Sequence, residues 1–222
     1  MKILAIETSG AGCSAALWSD DLVLERTEPM ARGQAERLVP LTGEVLAAAG
    51  TAYRELDLIA VTVGPGTFTG MRVGLATARG IALATGRPCL GVTSFECVLE
   101  AARAEAEAAW AAGLAVLVVL DSRRSEVFAQ KFEAPDGLAQ EPVVAPPEDL
   151  AASAHDVGLV VGTAAAAMAK AGLGSEMRVL DVAPSAAAAA RVADRGWASG
   201  ARPAGFPDPL YLRAPETGAA TR

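Results

Sequence analysis

The stretch Leu58-Ile59-Ala60-Val61-Thr62-Val63, followed by Gly64-Pro65-Gly66-Thr67-Phe68-Thr69, decides how the chain is read. An apolar, β-branched run ends in a glycine–proline turn. From Gly70 to Thr85 the apolar spacing becomes helical, and Gly86-Arg87-Pro88 stops it. A strand, a tight loop and a helix in this order place backbone N–H groups at the helix start, a position that favours an anion. The loop is not a P-loop, because Met71 and Arg72 stand where Lys and Ser or Thr are needed. Two readings stay open: an anion-binding loop, or a tight turn with Thr69 capping the helix. The helix carries a second signal, since Gly70, Gly74 and Ala78 form one small-residue ridge and Ala76, Gly80 and Ala84 another. Glycine inside a helix costs roughly 1 kcal/mol relative to Ala, so three together point to a close neighbour. One ridge is expected to pack on the chain's own sheet and the other to face a partner helix.

On the N-terminal side, Lys2–Glu7, Cys13–Trp18 and Leu22–Thr27 read as strands, with a turn at residues 8–12. A helix follows from about Gln34 to Ala49, with Ala35, Leu38, Val45, Leu46 and Ala49 on one stripe and Gly50 as its stop. Pro40 is expected to kink it or displace its start. Leu38, Val45 and Leu46, with Gly70, Gly74 and Ala78, are the residues expected at a partner interface.

On the C-terminal side come a short strand Cys89–Val92 and a long Ala-rich helix to Ala112, capped by Thr93 or Ser94. Leu114–Leu120 then reads as a strand ending in Asp121-Ser122-Arg123-Arg124-Ser125, and Glu126–Phe132 returns as another. Both this hairpin and the first run strand, acid, hydroxyl residue, turn, strand, which is a faint internal repeat. Beyond lie a Pro-rich link around Pro142–Pro147, a strand Val157–Val161 and helices near Thr163–Ala171 and Ser185–Ser199. The expected organisation is an α/β fold of two lobes, the second truncated: an N-terminal lobe 1–112, a C-terminal lobe 113–213 and a flexible polar tail 214–222.

Composition narrows the function. The chain has 222 residues, 26 acidic and 19 basic, for a formal charge of -7. Fifty are alanine, which favours helices. An acidic chain does not read as a stand-alone nucleic-acid binder. Residues 178–222 hold six Arg against four acids, net +2, leaving -9 for the rest; that tail reads first as a solvated helix and coil and, as the alternative, as an RNA contact within a complex. No apolar run of about 18 residues suggests a membrane span, and Glu7 comes too early for a signal peptide; the expectation is a cytoplasmic protein. Three cysteines without a Cys-x-x-Cys do not read as a disulfide framework or a zinc ribbon.

The chemistry available is sparse. Glu7 and Asp121, at two strand ends facing one cleft, are candidates for a hydrated magnesium ion, or are simply turn residues. Gly162-Thr163 is a candidate for close approach to an adenosine. The single histidine, His155, cannot supply a histidine pair for zinc or iron, and no Gly-x-Ser-x-Gly elbow accompanies it. Only three lysines exist, none in a glycine loop, so no metal site and no catalytic residue of its own is expected.

Four segments together resemble the TsaB (YeaZ) family over nearly the whole chain: Ile3-Leu4-Ala5-Ile6-Glu7-Thr8-Ser9, Gly64–Gly74, Asp121-Ser122-Arg123-Arg124-Ser125-Glu126-Val127-Phe128 and Pro209-Leu210-Tyr211-Leu212-Arg213. The resemblance implies the actin-like ATPase (ASKHA) superfamily fold with duplicated topology. It implies a non-catalytic subunit that binds and activates TsaD and works with the ATPase TsaE. The complex transfers a threonylcarbamoyl group to the tRNA adenosine beside the anticodon. It leaves open ATP or ADP at the complex interface and a homodimer of the free chain. The residues matching a nucleotide site are Glu7, Ser9, Gly66, Thr67 and Asp121. Two positions depart from the family: Glu7 where Asp is usual, and Arg124-Ser125 where a small residue and Gly are common. The paralogue TsaD carries His-x-x-x-His where this chain reads Arg32-Gly33-Gln34-Ala35-Glu36. The rival reading is a nucleotide-dependent small-molecule kinase or ATPase of the same fold.

Overall fold

The computed structural model describes residues 1–19, 22–134, 137–174 and 176–213; the tail expected at 214–222 lies outside the described residues. The first half builds β1 (Lys2–Glu7), β2 (Gly12–Ser19), β3 (Leu22–Pro29), α1 (Gln34–Ala48), β4 (Leu58–Gly64), α2 (Phe68–Thr85), β5 (Cys89–Thr93) and α3 (Ser94–Ala101). The second builds α4 (Arg103–Ala111), β6 (Ala115–Asp121), β7 (Val127–Glu133), β8 (Leu138–Ala139), β9 (Val143–Ala145), α5 (Pro147–Ser153), β10 (Val157–Val161), α6 (Ala165–Lys170), β11 (Arg178–Leu180) and α7 (Ala186–Ala198).

The strands form two sheets, ordered β3-β2-β1-β4-β5 and β11-β10-β6-β7-β8, with β9 also on β7. In each, the opening hairpin is antiparallel (β1–β2, β6–β7) and the strand on the hairpin's other side is parallel (β1–β4, β6–β10). A further parallel strand closes each sheet (β5, β11). The two lobes therefore repeat one topology, each opened by the hairpin that carries Glu7 or Asp121. The second is the reduced copy: α5 and α6 have 7 and 6 residues where α1 and α2 have 15 and 18.

Period-two alternation puts successive β1 residues into different cores. Leu4 and Ile6 meet Leu38, Leu41, Val45 and Leu46 of α1 and Leu75, Ala78 and Ala82 of α2. Ile3 and Ala5 meet Ala186, Ala188, Ala189, Ala190 and Ala193 of α7. The C-terminal helix thus crosses back onto the first sheet. The second sheet is covered on one face by α3 and α4, through Phe95, Val98, Ala102 and Ala106, and on the other by Ala165 and Met168 of α6.

Several expectations change. The Ala-rich helix to Ala112 is two helices broken at Ala102 (φ -106°), because α3 packs on both sheets and α7 while α4 turns onto β6 and β10. Its start is as read: Thr93 accepts from Glu96 N and the Glu96 carboxylate accepts from Thr93 N, a reciprocal cap. Helix α1 runs through Pro40 without shifting its start. Helix α2 begins two residues before Gly70, with Thr67 rather than Thr69 at the N-cap, because Thr67 N already bonds Ser9 O. The link near Pro142–Pro147 contains β9 and leads into α5, whose Pro147, Glu148 and Asp149 suit a helix start.

The six residues expected at a partner interface require the largest correction. Leu38, Val45, Leu46 and Ala78 are at most 2% exposed, and Gly70 and Gly74 are buried with them. The stripe on α1 faces the chain's own sheet because fully burying each aliphatic side chain contributes about 1.5–3 kcal/mol. The ridge left outside on α2 is the other one, at Ala76, Gly80 and Ala84.

Candidate functional site

Between the lobes lies a cleft of about 850 Å³. The five residues matched to a nucleotide site, Glu7, Ser9, Gly66, Thr67 and Asp121, all line it. They arrive on equivalent elements: the turn after β1, the loop after β4 and the turn after β6. Arg123, Arg124 and Thr163 join them, as do Leu210 to Arg213, whose place in the cleft no local pattern signals.

The two cleft carboxylates are each drawn onto their own turn. The Glu7 carboxyl is 4% exposed, and its Oε1 accepts from Ser9 N (2.5 Å), Ser9 Oγ (2.5 Å), Gly10 N (3.1 Å) and, more distantly, Thr62 Oγ1 (3.5 Å). Ser9 Oγ also lies 2.8 Å from Ser94 Oγ of α3. Burial raises the Glu7 pKa above the ordinary value of 4.5, although these donors pull it the other way. Asp121 closes its own turn: Oδ1 accepts from Arg123 N (2.7 Å), with the Arg123 guanidinium 3.5 Å from Oδ2 and its backbone at φ 62°.

The glycines are equally occupied. Thr67 N donates to Ser9 O at 2.9 Å, and a Cβ on Gly66 would come within 2.3 Å of that same oxygen. A Cβ on Gly70 would meet Thr8 O at 1.9 Å, and one on Gly74 would meet Thr8 Oγ1 at 2.3 Å. Thr8 Oγ1 in turn donates to Gly70 O (2.7 Å). The motif Gly66–Gly74 is thus a seam that lets the start of α2 lie directly on the β1–β2 turn. A Cβ on Gly162 would come within 2.0 Å of Val119 O, and Thr163 Oγ1 accepts from Asp121 N (3.0 Å). The Gly162-Thr163 approach is therefore spent inside the second lobe.

A nucleotide with magnesium does not fit this donor set. The close approaches that would cradle phosphate and adenosine are filled by backbone, and both carboxylates are drawn onto their own turns. Among the described residues no group of three His, Cys, Asp or Glu side chains is placed to hold a metal ion. His155 is exposed on the second lobe.

The other surface feature lies on the outer side of α1 and α2, which pack side by side over the first sheet. Here Ala76, Gly80 and Ala84 share one helical stripe, and a Cβ on Gly80 would meet nothing within 4 Å. Leu83 (71% exposed) lies on the same helix, and Val39 (53%), Pro40 and Ala47 are exposed on α1. Val39 and Leu83 were not singled out from sequence. The available signal was that both are bulky and apolar yet fall off the buried stripe of their helix.

Comparison with known proteins gives a consistent result. The protein-family model described as "TsaD: tRNA N6-adenosine threonylcarbamoyltransferase" matches residues 28–190. The chain is 34% identical to the tRNA threonylcarbamoyladenosine biosynthesis protein TsaB of Escherichia coli K12 over 60% of its length and 55% of that protein's. It is 30% identical to the TsaB of Haemophilus influenzae over 58% of its length and 52% of that protein's. It spans about half the length of these curated relatives. A crystal structure of a Pseudomonas aeruginosa protein described as similar to peptidase YEAZ superposes with a TM-score of 0.80 and 30% identity, covering 96% of this chain and 99% of that one. A second structure, YeaZ from Pseudomonas aeruginosa, gives 0.72 and 28%, covering 90% and 93%. With its two repeated lobes and no histidine at the start of α1, the chain belongs to the TsaD family and, within it, to the TsaB (YeaZ) branch.

Proposed function

We propose that the chain is a non-catalytic subunit that binds and activates TsaD for transfer of the threonylcarbamoyl group to the tRNA adenosine next to the anticodon. The observation that carries this reading is the exposed ridge of α2. Ala76, Gly80 and Ala84 leave an exposed small-residue stripe along the helix, with Leu83 exposed on the same helix and Val39 exposed on the neighbouring α1. A stripe of small residues admits a second helix closely, and apolar side chains left in water favour a partner that covers them. In this reading TsaE joins the same complex, tRNA is reached through it in the cytoplasm, and any ATP or ADP is held at the interface between subunits. The free chain offers the same face to a second copy. The rival, a kinase or ATPase, loses support because the glycine loop is occupied by Thr8 and Ser9.

Calorimetric titration of Leu83→Asp and Gly80→Gln against TsaD tests the reading. Both variants are expected to melt as the parent does and to bind at least tenfold more weakly, a loss of about 1.4 kcal/mol. Unchanged binding by both would remove the ridge as the docking surface. ATP hydrolysis by the chain alone, lost on Glu7→Gln, would restore the rival.

A further inference from the structure

The segment Pro207-Asp208-Pro209-Leu210-Tyr211-Leu212-Arg213 follows α7, yet it is laid along α2. Arg79 Nη2 donates to Pro207 O (2.6 Å) and to Asp208 Oδ1 (3.1 Å). Arg72 Nε donates to Tyr211 Oη (3.0 Å), and the Tyr211 ring lies 5.5 Å from that of Phe68. Arg72 and Arg79 are seven residues apart, two turns along one side of the helix. The backbone is anchored as well: Leu210 N donates to Val63 O (2.8 Å) at the end of β4. Pro207 sits on Gly91, where an added Cβ would come within 2.8 Å of it.

Within three residues the chain changes lobes. Leu210 packs against the first core, which holds Ile59 and Leu75, whereas Leu212 packs against the second, which holds Leu120 and Phe128. Arg213 pairs with Glu126 before β7, and its guanidinium stands 5.8 Å from the Phe128 ring centre. Leu210 to Arg213 thereby also line the cleft. The lobes meet elsewhere through α3, which contacts both sheets and ends at the break at Ala102, and through residues 181–185, which lead from β11 on the second sheet to α7 on the first.

We propose that Pro207–Arg213 is an interlobe clamp: it holds the cleft walls at a fixed separation, and its release lets the lobes open about the two chain crossings, the α3–α4 junction at Ala102 and the link 181–185 before α7. Each lobe receives one leucine peg and one set of polar ties. The ties are exposed or half-buried ion pairs and hydrogen bonds, individually weak and, where exposed, screened by salt, so the clamp opens without unfolding either core. A few backbone angles at an element end suffice as the hinge.

The test is electron–electron resonance distance measurement on the full chain, with spin labels at Ala48→Cys and Ala152→Cys. Both positions are exposed, one on α1 and one on α5, and the native cysteines are buried. The parent should give one narrow distance. Tyr211→Ala with Arg213→Ala, and separately Leu210→Ala, should lengthen the mean and broaden the distribution about twofold, while circular dichroism stays that of the parent. Raising salt should move the parent in the same direction. Should Leu210→Ala lose its fold, the Tyr211/Arg213 variant decides alone. A parent-like distribution in that variant overturns the clamp.

Discussion

Thr8 and Gly74 are in direct contact across the seam between the β1–β2 turn and α2: a Cβ on Gly74 would stand 2.3 Å from Thr8 Oγ1. The helix can rise only by breaking the hydrogen bond from Thr8 Oγ1 to Gly70 O. Gly74→Ala should therefore destabilise the chain by about 1–3 kcal/mol through overpacking. Gly80→Ala, where nothing lies within 4 Å, should instead stabilise it by about 0.5–1 kcal/mol by removing backbone freedom. For a chain of this size each kcal/mol moves Tm by about 2–4 °C, so melts of the two variants should shift in opposite directions.

Leu46 and Leu83 look alike in sequence and differ wholly in setting, at 2% and 71% exposed. Leu46→Asp buries a charge among Leu41, Val45 and Leu56 without a partner, and such changes cost several kcal/mol. It should yield little soluble, cooperatively melting protein. Leu83→Asp should be obtained in parent-like yield with a parent-like circular dichroism spectrum.

Glu7 gives a pH dependence with a definite sign. Its folded pKa lies above the ordinary 4.5, so the folded chain holds this proton more tightly than the unfolded chain. The favourable contribution is fully present below 4.5 and is lost as pH rises through the raised folded value. Glu7→Gln keeps an oxygen for Ser9 and Gly10 and removes the titration. The urea midpoint of the variant, relative to the parent, should rise as pH is taken upward from about 4.5. A constant difference across that range would refute the burial effect.

Cys13, Cys89 and Cys97 are buried free thiols, and burial raises the pKa of each, to about 11 for Cys89. Thiolate is the reactive form, so an exchange reagent at neutral pH should modify the native chain only as fast as it opens. In denaturant all three thiols of the sequence should react at once.

The duplicated hairpins were legible because strand, acid, turn and strand recur at Glu7 and Asp121, and short continuous apolar runs mark β1, β4, β6 and β10. The small-residue ridges were legible too, but not which faced outward. Leu38 and Leu46 read equally well as interface or core, because periodicity identifies an apolar stripe and not what covers it. Glu7, Ser9, Gly66, Thr67 and Asp121 do line one cleft, while the contacts they make there were not legible. Whether Gly66 cradles a ligand or Ser9 O depends on a contact between residues 57 positions apart. Pro209–Arg213 was legible as a family segment but not as a clamp, since Leu210 and Leu212 acquire that meaning only from two cores assembled far upstream.

The placement of α7 has a consequence for how the protein is made. One face of the first sheet, carrying Ile3, Ala5, Leu58 and Ala60, is covered by alanines 186–193. On the ribosome those strands emerge early, and their cover is translated last. Until then the nascent chain exposes half of a sheet whose helical lid has not been synthesised, and that face is the natural target for a chaperone. Truncation ahead of Ala186 should accordingly leave the first lobe aggregation-prone even though all five of its strands are present.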